Sequence, residues 1–291
     1  MSALTITTIQ TDLKWEDKAA NLRQLGEKIL SIPEKTQLVV LPEMFSTGFS
    51  MRPEVFAETM DGQAVTWMKT IAAERRIILT GSLIIEEEGQ YFNRLIWMQP
   101  NGRYGYYDKR HRFAYAGENE HYTPGRKRLV TSVNGWKILP LVCYDLRFPV
   151  WSRQTPRPPA LPTPPESTAT RPAASPAPAP ASPAEPAALE YDLLLYVANW
   201  PERRTHAWKT LLQARAIENQ SYVVGVNRVG PDGNNIAHSG DSMIIDPLGE
   251  ILYHGAGKED IHTLTLRKEN LTEVRQRFPF WRDADSFSIE P

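Results

Sequence analysis

Residues 138–149 read ILPLVCYDLRFP, an apolar run that ends abruptly at a cysteine followed by a polar turn. A continuous apolar run of this kind predicts a strand that is covered on both faces. Cys143 stands at the end of that strand and is the only cysteine in the 291 residues, so it has no partner for an internal disulfide. Its value therefore lies either in packing as a small buried side chain or in the reactivity of its thiol.

Two other chemically useful side chains stand at predicted strand ends. Glu43 follows the apolar run LVVLP at residues 38–42, and Lys109 follows a pair of alternating segments that end near residue 108. Taken singly, such a carboxylate or ammonium is more often solvated or paired in a salt bridge than catalytic. An acid, an ammonium and a thiol that meet at one edge of a fold would instead complement one another chemically.

Strand-like and helix-like patterns alternate through most of the chain. Apolar residues at helical spacing predict helices over residues 15–30, 64–76 and 205–219. Apolar runs and two-residue alternation predict strands over residues 5–10, 38–43, 77–85, 91–98, 102–108, 192–199, 222–229 and 242–246. This α/β mixture favours two sheets packed face to face with helices outside.

Composition excludes several classes of partner. The 33 basic and 34 acidic residues give a net charge of −1, which provides no electrostatic footprint for nucleic acid or an anionic membrane. The N-terminal residues lack a basic region followed by a long apolar stretch, and no window approaches the ~20 apolar residues that span a bilayer. We expect a cytoplasmic protein whose thiol stays reduced.

One segment departs from the globular pattern. Residues 155–188 contain twelve of the 24 prolines, together with Ala, Ser and Thr and few large apolar side chains. Such a stretch cannot bury enough surface to offset its ordering entropy, so we predict a disordered surface insertion that interrupts a single domain over residues 1–291. The functional alternative is a docking site for a proline-recognising partner.

Several motifs resemble signature segments of the nitrilase superfamily, the carbon–nitrogen hydrolases. The three main segments are LPEMF at 41–45, DKRH at 108–111 and VCYDLRFP at 142–149. The resemblance extends to VANWP at 197–201, ARAIENQ at 214–220 and NRVG at 227–230. The sequence MFSTGF after Glu43 and the pair Trp200-Pro201 look most like the omega-amidase branch. The family resemblance implies a four-layer α-β-β-α sandwich and a dimer built on the 205–219 region.

The resemblance also implies the chemistry. Cys143 would attack an amide to form a thioester, Glu43 would move the proton in both half-reactions, and Lys109 with the backbone N–H of Tyr144 would stabilise the oxyanion. A second glutamate, Glu118 with Glu120 as a near competitor, would orient Lys109. No His-x-x-x-His or Cys-x-x-Cys spacing and no glycine-rich phosphate loop occurs, so neither a metal nor a cofactor is expected.

The substrate is less sharply indicated. Omega-amidases act on short amides with a carboxylate at the far end, such as 2-oxoglutaramate, so a cation or several hydrogen-bond donors should line the pocket opposite Cys143. Candidate pocket residues are Trp200, Arg147, Arg203 and Arg204. Each has a structural alternative, because Arg147 could pair with Asp145 or Glu218 and Trp200 could simply pack. A nitrilase, an N-carbamoyl hydrolase and a non-catalytic scaffold that recruits partners through the proline-rich segment remain open alternatives.

Overall fold

Two β-sheets form the centre of the protein in a computed structural model that describes residues 2–154, 189–285 and 287–289. One sheet has the strand order β13-β1-β2-β3-β4-β5 and the other has the order β10-β11-β9-β8-β7-β6, with β12 paired to β11. The strands are β1 (Ala3–Gln10), β2 (Leu38–Val40), β3 (Ile78–Glu87), β4 (Gln90–Met98), β5 (Tyr104–Asp108), β6 (Thr131–Val133), β7 (Trp136–Val142), β8 (Leu193–Ala198), β9 (Tyr222–Asn227), β10 (Val229–Pro231), β11 (Ala237–Ile245), β12 (Ile251–Ala256) and β13 (Asp260–Arg267).

Helices cover the outer faces of both sheets. The α-helices of the described ranges are α1 (Lys18–Leu30), α2 (Pro53–Phe56), α3 (Gln63–Arg75), α4 (Glu118–His121), α5 (Pro149–Ser152), α6 (Thr205–Asn219) and α7 (Lys268–Arg277). Helices α1 and α3 pack on the first sheet, and α6 packs on the second. The approach of α6 is close, because a Cβ placed on Gly225 of β9 would lie 2.6 Å from Leu212 of that helix. No helix in the described ranges is both long enough and apolar enough to cross a bilayer.

The apolar runs divide their side chains between two cores, as the two-residue period of a strand requires. Leu38 and Val40 of β2 point between the sheets, where they join the apolar residues of β7, β8 and β9. Val39 and Leu41 point outward and pack under α1 and α3. The predicted four-layer α-β-β-α sandwich is therefore confirmed.

Parallel pairing sets the position of the site. Strands β1, β2 and β3 run parallel to one another, as do β7, β8 and β9. Side chains that follow β2, β7 and β8 therefore emerge at the carboxyl ends of parallel strands, where open α/β sheets bind ligands. Glu43, Cys143 and Asn199 are those side chains.

The observed elements differ from the sequence expectation at several places: β11 begins at Ala237 rather than at residue 242, and β6 was not predicted. The strand predicted over residues 38–43 ends at Val40, because Pro42 has no N–H to donate and Glu43 already lies in a turn. The C-terminal strands β12 and β13 and helix α7 were absent from the sequence prediction. Their side chains are mostly exposed or half-buried, so they carry no clear apolar period.

The predicted insertion over residues 155–188 lies outside the described residues, but its two flanks meet. Gln154 accepts hydrogen bonds from the backbone N–H groups of Glu190 (3.0 Å) and Tyr191 (3.3 Å), and its Nε2 donates to the carbonyl of Tyr191 (2.8 Å). Arg128 donates to both carboxylate oxygens of Glu190 at 2.9 Å. These bonds close the chain across the segment without using any of its residues.

Replacing residues 155–188 with two glycines should therefore leave the fold intact. Because loop-closure entropy changes slowly with length, we expect the free energy of unfolding to rise by no more than about 2 kcal/mol. Thermal unfolding of the shortened chain tests this, and Gln154→Ala in the full-length chain is the matched control that should lose about 1–3 kcal/mol. A shortened chain that unfolds more than about 5 °C below the wild type would contradict the prediction.

Candidate active site

The carboxylate of Glu43 lies fully buried at the junction of the two sheets. The turn that carries it continues through Met44, which has a φ of +43°. Three donors hold the carboxylate: Lys109 Nζ at 2.9 Å and Asn93 Nδ2 at 2.8 Å on Oε1, and the backbone N–H of Asn199 at 2.8 Å on Oε2. These hydrogen bonds replace those that the carboxylate would make to water, which is what a polar group needs when it is buried.

Cys143 is presented on a strained turn. It follows β7 directly, begins the short helical turn Cys143–Arg147, and has a φ of +45°, a region that non-glycine residues rarely occupy. Such a conformation costs of order 1–3 kcal/mol and persists only where the surroundings impose it. Here Asp145 imposes it, since its carboxylate accepts the backbone N–H of Val142 (3.0 Å) and the hydroxyl of Tyr107 (2.7 Å).

Lys109 occupies the space between two buried carboxylates. Its side chain is 1% exposed, and Nζ lies 2.9 Å from Oε1 of Glu43 and 2.9 Å from each oxygen of Glu118. Burial alone would lower the pKa of Lys109, but the charges of Glu118 and Glu43 raise the pKa above its ordinary value. The ammonium is therefore charged at neutral pH.

The structure separates the two candidates for the second glutamate. Glu118, the first residue of α4, is fully buried beside Lys109, whereas Glu120 is exposed. Glu118 also accepts the backbone N–H of Phe113. Burial raises the pKa of Glu118 and outweighs the opposing effect of Lys109.

Cys143 as a whole residue is 9% exposed, and its thiol lies close to the charges of these groups. Burial and then the negative charge of Glu43 raise the pKa of Cys143 well above its ordinary value, although the positive charge of Lys109 opposes them. The resting thiol therefore holds its proton next to a carboxylate. The carboxylate of Glu43 is therefore placed to accept the proton of the Cys143 thiol, as general-base activation of a nucleophile requires.

A cavity of about 210 Å³ opens above the thiol. Its lining includes Cys143 and Tyr144 together with all four candidate pocket residues: Arg147, Trp200, Arg203 and Arg204. Drug-sized pockets hold roughly 300–1,000 Å³, so this one suits a short molecule.

Three guanidinium groups and the carboxylate of Asp232 line the cavity, so cations outnumber anions there. Arg147 lies with its guanidinium carbon 5.1 Å from the centre of the Trp200 ring, and Arg204 lies 4.9 Å from the centre of the Phe113 ring. Burial and then the charge of Arg203 lower the pKa of Arg204. Within the described ranges, no carboxylate forms a salt bridge with any of the three.

Arg147 and Trp200 each have a possible structural role, and the structure shows that role for Trp200 but not for Arg147. Asp145 is bonded to Tyr107 and Glu218 to Arg215, so neither provides the ion pair considered for Arg147. Trp200 does pack as expected of a structural residue, since its ring centre lies 5.4 Å from that of Trp208. Trp200 also lines the cavity, so the same side chain both packs in the core and forms a wall of the pocket.

Two asparagines at the site had no assigned role from the sequence. Asn93 of β4 donates through Nδ2 to Glu43 and to Glu118, at 2.8 and 3.2 Å. Asn199 lines the cavity and donates through Nδ2 to the carbonyl of Glu43 at 2.6 Å. A polar residue directly after the buried strand β8 was the available signal for Asn199, whereas Asn93 has no comparable signal within its alternating strand.

No group of three or more His, Cys, Asp or Glu side chains in the described part of the chain is arranged to hold a metal ion.

Known proteins resemble this chain over nearly its whole length. The family model of the carbon–nitrogen hydrolases matches residues 5–158 and 187–276. An omega-amidase, YafV, of Escherichia coli K12 is 40% identical over 294 residues, covering 99% of this chain and 100% of the relative. A 2-oxoglutaramate amidase of Bacillus subtilis is 28% identical over 282 residues, covering 96% of each protein.

Solved structures show the same architecture. XC1258 of Xanthomonas campestris, a CN-hydrolase superfamily protein described with an arsenic adduct in its active site, is 41% identical and superposes with a TM-score of 0.88 over 100% of both chains. Nit3 of Saccharomyces cerevisiae, at 21% identity and a TM-score of 0.75, covers 96% of this chain and 95% of its own, and shares the fold. The chain therefore belongs to the carbon–nitrogen hydrolase family of the nitrilase superfamily, where it is most like the omega-amidase branch, and it is a hydrolase of carbon–nitrogen bonds other than peptide bonds.

Proposed function

We propose that the protein is an omega-amidase, which hydrolyses a short carboxylate-bearing amide such as 2-oxoglutaramate to the acid and ammonia. The observation that carries the proposal is the small cavity that joins the Cys143 thiol to three arginines without salt-bridge partners among the described residues. A carboxylate at the far end of the substrate would complete those charges, because guanidinium groups bind carboxylates strongly. The same substrate class is supported by the similarity to an omega-amidase of Escherichia coli and to a 2-oxoglutaramate amidase of Bacillus subtilis.

In the proposed acylation step, Sγ of Cys143 attacks the carbonyl carbon of the amide while Glu43 takes the thiol proton. The carbonyl oxygen becomes an oxyanion, which Lys109 Nζ and the backbone N–H of Tyr144 stabilise. Glu43 then gives its proton to the nitrogen as the carbon–nitrogen bond breaks. Ammonia leaves and a thioester remains on Cys143.

In the proposed deacylation step, water attacks the thioester carbon and Glu43 takes one of its protons. The carbon–sulfur bond breaks, the acid leaves, and the thiolate of Cys143 recovers the proton from Glu43. One base thus serves both half-reactions. Glu118 and Asn93 take no proton in this scheme, because their contribution is to hold Lys109 and Glu43 in place.

Ammonia release from a panel of amides tests the proposal. The wild-type enzyme should turn over 2-oxoglutaramate with a higher kcat/KM than a neutral amide of the same length, such as pentanamide. Turnover of simple nitriles or N-carbamoyl compounds without turnover of 2-oxoglutaramate would instead identify one of the alternative hydrolases, which would use the same three side chains.

Arg204→Gln should remove most of this preference. Arg204 is less exposed than Arg147 or Arg203, so its charge is the least screened by solvent. We expect KM for 2-oxoglutaramate to rise about tenfold or more, in line with the loss of a charged hydrogen bond. Pentanamide kinetics should change little, and an equal loss on both substrates would show that Arg204 supports the site without recognising the carboxylate.

The scaffold alternative would leave Cys143 inert and place function in the proline-rich segment, which lies outside the described residues. The bonded position of Glu43, Lys109 and Glu118 around the thiol favours the enzyme instead. We further propose that the protein is cytoplasmic, because the nucleophile has to stay reduced, and that it forms a dimer through α6, as the resemblance to the carbon–nitrogen hydrolases implies.

A further inference from the structure

We propose that Asn199 contacts the substrate directly, with its side-chain Oδ1 accepting a hydrogen bond from the amide nitrogen that becomes the leaving group. This contact would select amides over the corresponding esters and nitriles. The inference rests on the proposed amidase function and assigns a role to a residue that the scheme above does not use.

The orientation of the Asn199 side chain is fixed by its neighbours. Its Nδ2 donates to the backbone carbonyl of Glu43 at 2.6 Å. A carbonyl oxygen can only accept, so the amide cannot be flipped without placing two acceptors against each other. Oδ1 therefore lies on the side of the amide group away from that carbonyl.

Oδ1 of Asn199 is buried and has no hydrogen-bond partner among the described residues. The residue as a whole is 5% exposed, and it lines the cavity that contains Cys143. A buried acceptor left unsatisfied costs about 1–3 kcal/mol, so a donor on the molecule that occupies the cavity would recover that energy.

The chemistry of the substrate identifies the donor. At the reacting carbon of a primary amide, the oxygen only accepts hydrogen bonds, whereas the nitrogen carries two N–H groups. An ester has an oxygen in place of that nitrogen and a nitrile nitrogen has no hydrogen, so neither can donate to Oδ1. A site built to bind a donor rejects analogues that lack it, because its own polar group is then left unpaired.

The position of Asn199 also suits the protonation of the leaving group. The backbone N–H of Asn199 donates to Oε2 of Glu43 at 2.8 Å, so one residue contacts the base and faces the cavity. A nitrogen held by Oδ1 would stay near the carboxylate that supplies its proton. Asn199 would then contact the leaving nitrogen through Oδ1 and the base that protonates it through its backbone N–H.

The test compares one amide with its ester. We would measure kcat/KM of Asn199→Leu for 2-oxoglutaramate and for the 5-methyl ester of 2-oxoglutarate. This parameter includes the steps up to departure of ammonia or methanol and excludes hydrolysis of the shared thioester. We expect the amide-to-ester ratio to fall about 10- to 100-fold, because loss of one hydrogen bond acts on the amide alone.

Asn93→Leu is the matched control. Asn93 also donates to Glu43 and also has a buried Oδ1 without a partner among the described residues, but it is not part of the cavity lining. Its replacement should lower both rates by a similar factor and leave the ratio unchanged. If Asn199→Leu fails to fold, Asn199→Ser keeps a hydroxyl donor for the Glu43 carbonyl, lacks Oδ1, and gives the same comparison.

An unchanged ratio in the Asn199 variant, with both rates lowered equally, would overturn the inference and leave Asn199 as a support for Glu43. Failure of the proposed function has a different signature, since the wild-type enzyme would then leave 2-oxoglutaramate intact. In that case the ratio is measured on whichever amide and ester pair the wild type does hydrolyse, and the same two results decide.

Discussion

Replacing Cys143 by Ala should abolish ammonia release while leaving the protein folded. Without the thiol no thioester can form, and loss of a catalytic nucleophile lowers kcat by about 10⁴-fold or more. The fold should survive because Ala adopts the φ of +45° no less readily than Cys, and because Glu43 keeps its bonds to Lys109, Asn93 and Asn199. Ammonia release and the thermal unfolding midpoint measure the two expectations.

Cys143→Ser tests whether the reaction needs the sulfur itself rather than only a side chain of that shape. Serine has nearly the same shape, but its hydroxyl is a far weaker nucleophile than a thiol, so its turnover should also be very low. Residual ammonia release above about 1% of wild type in the Ala variant would mean that the reaction does not pass through a bond to sulfur. A large fall in the unfolding midpoint would instead mean that the thiol mainly packs.

Lys109→Met should cost both activity and stability. It removes the cation from between two fully buried carboxylates, and breaking a buried ion pair in this way costs about 3–5 kcal/mol of unfolding free energy. Loss of an oxyanion donor adds a fall in kcat of about 10²–10³-fold or more. Denaturant unfolding and ammonia release measure these effects, and Lys127→Met, at an exposed lysine, is the matched control that should change neither.

The stability deficit of Lys109→Met should depend on pH with a definite sign. Burial already raises the pKa of Glu118, and without Lys109 nothing described at the site opposes that effect with a positive charge. A carboxyl whose pKa is raised in the folded state binds more protons there than in the unfolded chain, so stability falls as pH rises above about 4.5. The deficit should therefore grow from about pH 5 to pH 8, and a deficit that shrinks over this range would contradict the assignment.

The fold was predictable wherever burial left a periodic pattern. The apolar runs that became β2, β7 and β8 and the helical spacing of α6 carried enough information to indicate two covered sheets. Strand β13 did not, because most of its side chains are half-buried at an edge of the sheet. The turn at Glu43 was placed inside a strand because an apolar pattern alone does not show where pairing stops.

The site was predictable to the extent that it depends on reactive residue types. Cys143, Glu43 and Lys109 stood out because thiol, carboxylate and ammonium at strand ends are chemically complementary. Glu118 could not be separated from Glu120 by sequence, since both lie in the four-residue helix α4 and only the tertiary position of Lys109 distinguishes them. Asn93 and Asn199 owe their roles to the convergence of separate strands, which no local pattern records.

The bonding of Glu43 has a consequence for interpreting divergent relatives. Its carboxylate accepts hydrogen bonds from Asn93 of β4 and from Lys109, which follows β5, both of the first sheet. It also accepts one from Asn199, which follows β8 of the second sheet. A homologue without catalytic activity would still have a structural use for that acid, because its loss would remove a buried hydrogen-bond partner of Lys109, Asn93 and Asn199, whereas another small residue could replace the cysteine at little cost. A homologue that has the glutamate and the lysine is therefore not necessarily an enzyme. The residue at the cysteine position is the better indicator of catalytic activity.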